Sequence, residues 1–493
     1  MSNPLKKLLG QTAIYGLPTI VGRLLNYLLV PLYTGVFADP ADYGVISELY
    51  AVVAFLIVLL TFGMETTFFR FFNEKEDKVA VLRNVFITVI VINVSFLLLL
   101  LVFNQTIANW MLYPEDNIFI ILLGIIVCID AITAVPMAKL RAELNAKKFA
   151  TIHFSAIAIN IGLNLIFMLI FFDPSNPKQG IVFILIANLL SSSVKILGTY
   201  KDYLKLKWRY DRVMGREMFK YTLPLVIAGF AGIINETLDR VLLKHLLFNK
   251  SGMSLKMAQA QLGIYSACYK LAMLVSIFLQ AYRYAAEPFF FAHNKNEGRD
   301  KLYGKIMNYF IAAVCLAFLG VSLNIDVFKY FIRNEAYWVG LGVVPILLIA
   351  NVFLGIYFNQ SIWYKLSGQT KFGAYIAIGG ASITILINVM FIPLYGYWAS
   401  AWATLIVYGL QMVASYLLGQ KYYPIKYNLR KFFLYFGLAL VLYFVTVLVN
   451  MDPNEFSWSK FLFHNSLILF YIALVWFMEK PQSLPQTTDE HES

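Results

Sequence analysis

The residues with chemical potential in this 493-residue chain are ionisable side chains set inside apolar runs. A charge near a bilayer centre costs roughly 2.5–3.5 kcal/mol on insertion scales, so it faces a protein interior or a wet cavity. In the first run, Thr12, Thr19, Arg23 and Asn26 fall within an arc of about 60° on a helix. Arg23 there suits an anion-binding cavity or an ion pair with Glu48. Farther on, Ser266, Lys270, Gln280, Arg283 and Glu287 share an arc of about 140°. Arg283 and Glu287 have i,i+4 spacing and read as a local pair, as do Glu236 and Arg240. Lys270 has no acid within four residues, which leaves a cavity role or snorkelling to the membrane edge. Asp130 is the charge in its helix core and reads as an ion or proton carrier or as a partner of Arg23. Asp239, with Asn388 and Thr404, could supply oxygen ligands to a hard cation.

These residues need long apolar helices to position them. Hydrophobic residues make up 60% of the chain and charged residues 14%, outside the range of soluble globular proteins. The sequence therefore predicts an all-α polytopic membrane protein. Fourteen spans are expected, at 11–36, 43–64, 84–103, 118–138, 149–172, 180–199, 221–243, 262–290, 306–325, 341–363, 373–393, 397–419, 432–450 and 461–478. Continuous runs favour helices over a β-barrel, whose segments would alternate. The 49 uncharged positions from Phe372 to Gln420 are broken at Pro393, Tyr395 and Gly396, which marks two helices and a turn. Cys128, Cys268 and Cys315 lie far apart in apolar runs and read as core residues.

The net charge of +12 sits between the apolar runs and calls for no nucleic acid. With the N-terminus inside, 29 Lys and Arg residues fall on the cytoplasmic side and 7 on the other, so both termini are expected to be cytoplasmic. The polar tail after Glu479 reads as disordered.

The chain also repeats. Leu17-Pro18 matches Leu223-Pro224, and Tyr43-Gly44-Val45-Ile46-Ser47 matches Leu262-Gly263-Ile264-Tyr265-Ser266. The run 159–167 matches 383–391 and sets Asn164 opposite Asn388. A six-span repeat gives two parallel lobes related by a pseudo-twofold along the membrane normal. The expected organisation is an N-terminal lobe at 1–208, a C-terminal lobe at 209–420, an extra helix pair at 421–478 and the tail at 479–493. Two lobes around a central cavity are a transporter architecture. No HExxH, P-loop or GxSxG pattern is present, so an enzyme is not expected.

The order and spacing of several loose motifs carry a resemblance. They are Tyr15-Gly16-Leu17-Pro18, Pro31-Leu32-Tyr33-Thr34, Asp42-Tyr43-Gly44, Phe68-Phe69-Arg70-Phe71-Phe72 and Leu238-Asp239-Arg240. Gly263-Ile264-Tyr265-Ser266, Glu287-Pro288-Phe289-Phe290 and the segment 395–404 complete the set. With these the chain resembles the polysaccharide (O-antigen-type) flippases of the multidrug/oligosaccharidyl-lipid/polysaccharide exporter superfamily.

The resemblance implies alternating-access transfer of a polyprenyl-pyrophosphate-linked oligosaccharide across the bacterial inner membrane, on a lipopolysaccharide or other surface-polysaccharide pathway. Arg23, Lys270 and Arg283 would hold the pyrophosphate, with Thr19, Asn26 and Gln280 lining the cavity. No cofactor or metal is expected beyond H+ or Na+ coupling, for which Asp130, Asp239, Asn388 and Thr404 are the candidates. Expected partners are the lipid-linked glycan, membrane lipids, and glycosyltransferases or a polymerase. The rivals are a drug or organic-cation antiporter on the same fold and a peptidoglycan lipid-precursor flippase. A membrane glycan polymerase or acyltransferase is the rival of a different class.

Overall fold

The computed structural model describes residues 21–22, 24–204, 208–293, 298–449 and 456–479. Among them it holds helices and no strand, and thirteen helices are long and apolar enough to cross a membrane. The first part of the first expected span, with Thr12 and Thr19, and also Arg23, lies outside the described residues, as does the tail from 480 onward. Its second half forms the shorter apolar helix Leu24–Val36. Spans 2 to 14 follow at Pro40–Glu74, Lys78–Trp110, Asn117–Ala142, Ala146–Phe171, Pro177–Leu204, Arg212–Ser251, Leu255–His293, Arg299–Ser322, Glu335–Leu366, Lys371–Tyr395, Tyr397–Tyr422, Leu429–Leu448 and Trp458–Glu479.

The helix starts are chemically marked. Asp39, Asp77, Asn145, Asp211 and Asn428 each accept a bond from a first-turn N–H, which satisfies a donor the helix itself leaves open. Span 2 is broken at Phe62 and Gly63, which both take left-handed φ values of 49° and 62°. Span 11 ends at Gly396, also at positive φ, before Tyr397 opens span 12.

By packing, the chain divides into two compact units, Met1–Arg299 with Lys329–Pro424, and Asp300–Phe328 with Ile425–Ser493. The second unit joins span 9 to spans 13 and 14. Phe318 packs edge-on to Tyr443, Tyr471 donates to the Ala312 carbonyl at 3.4 Å, and Lys460 lies 3.5 Å from buried Asp326. Lys431 and Tyr435 both bond Glu479, at 2.7 and 2.6 Å.

The first unit carries the expected N-terminal lobe and the C-terminal lobe without span 9, and matched positions do matched work. Asn164 donates to the Asn160 carbonyl and accepts from Tyr33 at 2.8 Å. Asn388 donates to the Thr384 carbonyl and accepts from Ser400 at 2.9 Å. Each buried amide thus ties its own helix turn to a hydroxyl elsewhere in the same lobe, with no buried donor or acceptor left open at that end.

The lobes touch where span 2 crosses span 8. A Cβ on Gly44 would overlap the Gln259 carbonyl and stand 3.1 Å from the Gly263 nitrogen. A Cβ on Gly263 would overlap the Pro40 carbonyl and stand 3.0 Å from the Gly44 nitrogen. The contact is reciprocal, as a twofold axis requires. Only glycine lets the two backbones approach this closely.

Candidate functional site

Beside that crossing lies a cavity of about 540 Å³, lined by both lobes of the first unit. Span 8 brings Lys270 to it, fifteen residues and about 22 Å along the helix from Leu255. Span 7 brings Arg240, whose guanidinium stacks 4.3 Å over the Tyr269 ring. Neither base has a carboxylate within ion-pair distance among the described residues. The expected Glu236–Arg240 pair does not form: Glu236 is exposed, while Arg240 turns onto Tyr269 and the cavity.

The opposite wall comes from spans 4, 5 and 6. Lys195 and Asp130 pair at 2.7 Å, each about 25% exposed. Asp130 therefore has Lys195 as its partner, where the sequence reading offered either an ion carrier or a partner of Arg23. Asn188 donates to the Tyr50 hydroxyl at 3.0 Å, and His153, Asn160 and Ser192 complete this wall. Gly22 and Asn26 line the same cavity on either side of Arg23 in sequence.

Other expected site residues stand elsewhere. Arg283 lies thirteen residues beyond Lys270, about 20 Å farther along span 8, stacked 4.3 Å over Phe358. It lines a separate small pocket with Glu287 and Lys365. Glu287 pairs with Lys365 at 2.8 Å and not with Arg283, because span 10 carries that lysine to it. Gln280 is half-buried on span 8 and does not line the large cavity. Asp239 is buried and accepts from the Tyr265 hydroxyl at 2.5 Å and from the Arg240 N–H at 2.8 Å. Asn388 is held by Ser400 and Thr384, and Thr404 donates to the Ser400 carbonyl. The four expected ion-coupling residues thus fall into three places. No group of three or more His, Cys, Asp or Glu residues placed to hold a metal occurs among the described residues.

Between the cavity and the start of span 2 lies a dry cluster. Lys244 reaches Glu48 at 2.5 Å, and neither side chain has any exposure. The ammonium also donates to the Met111 carbonyl at 2.6 Å and sits 4.0 Å from the Tyr113 ring. The Tyr113 hydroxyl donates to Glu48, and His245 Nε2 lies 3.4 Å from the other carboxylate oxygen. Burial first, and then the Glu48 charge, raise the Tyr113 phenol well above its ordinary pKa, so it stays a donor. The sequence reading put Lys244 in an outer loop and offered Glu48 to Arg23. The structure corrects both, because span 7 runs on to Ser251 and carries Lys244 inside.

Lys195 and Arg240 escaped the sequence reading. Lys195 was counted with loop charges, although Asn188, Ser191, Ser192 and Lys195 keep helical spacing and all line the cavity.

The fold is that of a known class of membrane transporters. A structure titled "Lipid II flippase MurJ, inward closed conformation" matches with a TM-score of 0.73 at 16% identity, covering 94% of this chain and 99% of that one. An inward-facing multidrug resistance MATE family transporter of the MOP superfamily matches at 0.60 and 16%, covering 83% and 97%. The outward-facing form of such a transporter matches at 0.57 and 14%, covering 84% and 95%. At these identities the likeness establishes the fold. A search of curated proteins found no match. A family model described as "Polysaccharide biosynthesis protein" matches residues 37–324, more than half of the chain. The chain belongs to that family.

Proposed function

We propose that the protein is a flippase that moves a polyprenyl-pyrophosphate-linked oligosaccharide across the bacterial inner membrane by alternating access, with both termini cytoplasmic. The observation that carries this reading is the pair of cations without carboxylate ion-pair partners among the described residues, Lys270 and Arg240, in a cavity whose other polar lining is amides, hydroxyls, His153 and the paired Asp130 and Lys195. A cationic wall suits a pyrophosphate: arginine contacts it through two parallel N–H bonds and lysine as a point charge. Arg23 joins them on the sequence pattern, between the cavity residues Gly22 and Asn26. The hydroxyl-rich sugars would occupy the cavity water while the polyprenyl tail stays in lipid.

An inside-negative potential favours outward movement of the anion by about 2.3 kcal/mol per uncompensated charge per 100 mV. Asp239 is the carboxylate proposed for H+ or Na+ coupling in the second lobe, and Asp130 in the first. O-antigen or another surface-polysaccharide repeat unit is the proposed cargo, supplied by glycosyltransferases and consumed by a polymerase. A peptidoglycan lipid precursor has the same linkage chemistry and is distinguished by whether the gene is essential. A drug or cation antiporter is less well supported, since the cavity carboxylate Asp130 is paired with Lys195 while Lys270 and Arg240 line the same cavity as cations. A polymerase or acyltransferase lacks a catalytic constellation among the described residues.

The test is binding to the purified protein in detergent. Wild type should bind undecaprenyl pyrophosphate and ignore tetraphenylphosphonium, and Lys270→Met with Arg240→Met should abolish the binding. Binding of the cation in place of the lipid would transfer the protein to the antiporter reading.

A further inference from the structure

The two walls of the cavity differ in charge, and that difference assigns an orientation to the cargo. The span 7 and 8 wall lines the cavity with Arg240 and Lys270, while Glu236 of span 7 does not line it but stands near enough to act on both charges. The span 4 and 6 wall presents Lys195 with Asp130 attached to it. This second wall is polar but has no net charge. A pyrophosphate gains little there, because Asp130 stands 2.7 Å from the ammonium and repels an incoming anion.

A neutral polyol has the opposite requirement. Each hydroxyl both donates and accepts, so it is held best where donors and acceptors alternate. Lys195 offers ammonium protons beyond the one on Asp130 Oδ1, and Asp130 keeps its second oxygen as an acceptor. The Asn188 amide and the Tyr50 hydroxyl stand beside the pair as a second donor and acceptor couple. Asn160 offers its amide nitrogen, since its oxygen already accepts from Asn164 at 2.7 Å.

Ser192 gives an independent sign of a missing ligand. It is 1% exposed, it lines this cavity, and its hydroxyl has no hydrogen-bond partner among the described residues. A buried hydroxyl left open costs on the order of 1–3 kcal/mol. A sugar hydroxyl against this wall would satisfy it.

We propose that Asp130, Lys195, Asn188 and Ser192 form a sugar subsite, which binds the glycan proximal to the pyrophosphate while Arg240 and Lys270 hold the pyrophosphate across the cavity. This rests on the flippase reading and adds to it the direction in which the headgroup lies. The Asp130–Lys195 pair then determines specificity for glycan and contributes nothing to recognition of the lipid phosphate.

The test compares undecaprenyl pyrophosphate with the same lipid carrying one or three hexose or N-acetylhexosamine units, bound to purified protein in detergent. Wild type should bind the glycosylated lipid at least about tenfold tighter than the bare lipid. Asp130→Asn with Lys195→Met, which keeps the wall neutral, should erase that gain and leave bare-lipid affinity unchanged. Ser192→Ala keeps the pair and should lose part of the gain, so the inference does not hang on one variant's folding. If wild type ignores the bare lipid, the flippase reading falls. If wild type binds the bare lipid but gains nothing from any sugar, or if the double variant keeps the full gain, the subsite alone is overturned.

Discussion

Two lysine–carboxylate pairs stand at opposite extremes of hydration in this protein. Asp130–Lys195 and Glu48–Lys244 have nearly the same length, 2.7 and 2.5 Å, and both join different helices. The first opens on a cavity, with a quarter of each side chain exposed, while the second is sealed from solvent on both sides. Burial decides what the same chemistry can do. In the cavity the pair keeps free lone pairs and protons for a third molecule. In the sealed cluster Lys244 and one Glu48 oxygen are spent on each other, Tyr113 and Met111, the second oxygen is shut away beside His245, and the pair joins the two lobes.

The contrast makes quantitative predictions. The largest effect is expected from Lys244→Met, which strands a buried carboxylate. Removing one member of a buried pair costs about 3–5 kcal/mol, so this variant should show the lowest melting temperature in detergent. Glu48→Gln added to it should restore most of the loss, since a buried pair replaced as a whole is often neutral. Equal melting of the single and the double variant would show that the cluster is not a sealed ion pair.

A smaller effect is expected in the wet cavity. Lys195→Met should cost under about 1 kcal/mol, because solvent screens the remaining Asp130. A loss as large as that of Lys244→Met would erase the distinction between the two sites.

An effect of similar size belongs at the cap of span 2. Asp39 accepts from the Ala41 N–H and pairs with Lys256 at 2.7 Å. Burial alone would raise its pKa; the Lys256 bond, the Ala41 N–H and the Lys256 charge outweigh it, and the value is lowered. A lowered carboxylate pKa contributes stability above the unfolded value, near 4, and loses it as pH falls through the folded value. Asp39→Ala should therefore cost about 1 kcal/mol at neutral pH and less in acid, read as a melting difference that narrows below pH 4.

The sequence carries the spans well because a membrane helix is a local signal, some twenty apolar residues without interruption. The ends are carried less well: span 7 starts at Arg212, not 221, and span 8 at Leu255, not 262, since both continue as polar turns past the apolar stretch. Lys270 is legible because no acid lies near it in sequence. Arg240 is obscured by the opposite circumstance, Glu236 one turn before it, an exposed acid that forms no ion pair with it. The Glu48–Lys244 contact spans 196 positions, and no periodicity encodes a pairing at that range. The Asn164 and Asn388 match is legible because a repeated sequence repeats its helix ties.

The glycine crossing bears on permeability. A carrier that handles a large headgroup must not let ions follow it, or the potential that drives it would be dissipated. Where Gly44 meets Gly263 the barrier is main chain against main chain, with no side chain between them to move aside. Such a seam leaves no room for a file of water, and the solvent-sealed Lys244 and Glu48 close the space next to it. An alanine at either glycine would have to push the Gln259 or Pro40 carbonyl away. The expected phenotype is then a membrane that leaks current, a fault that glycan export assays do not register.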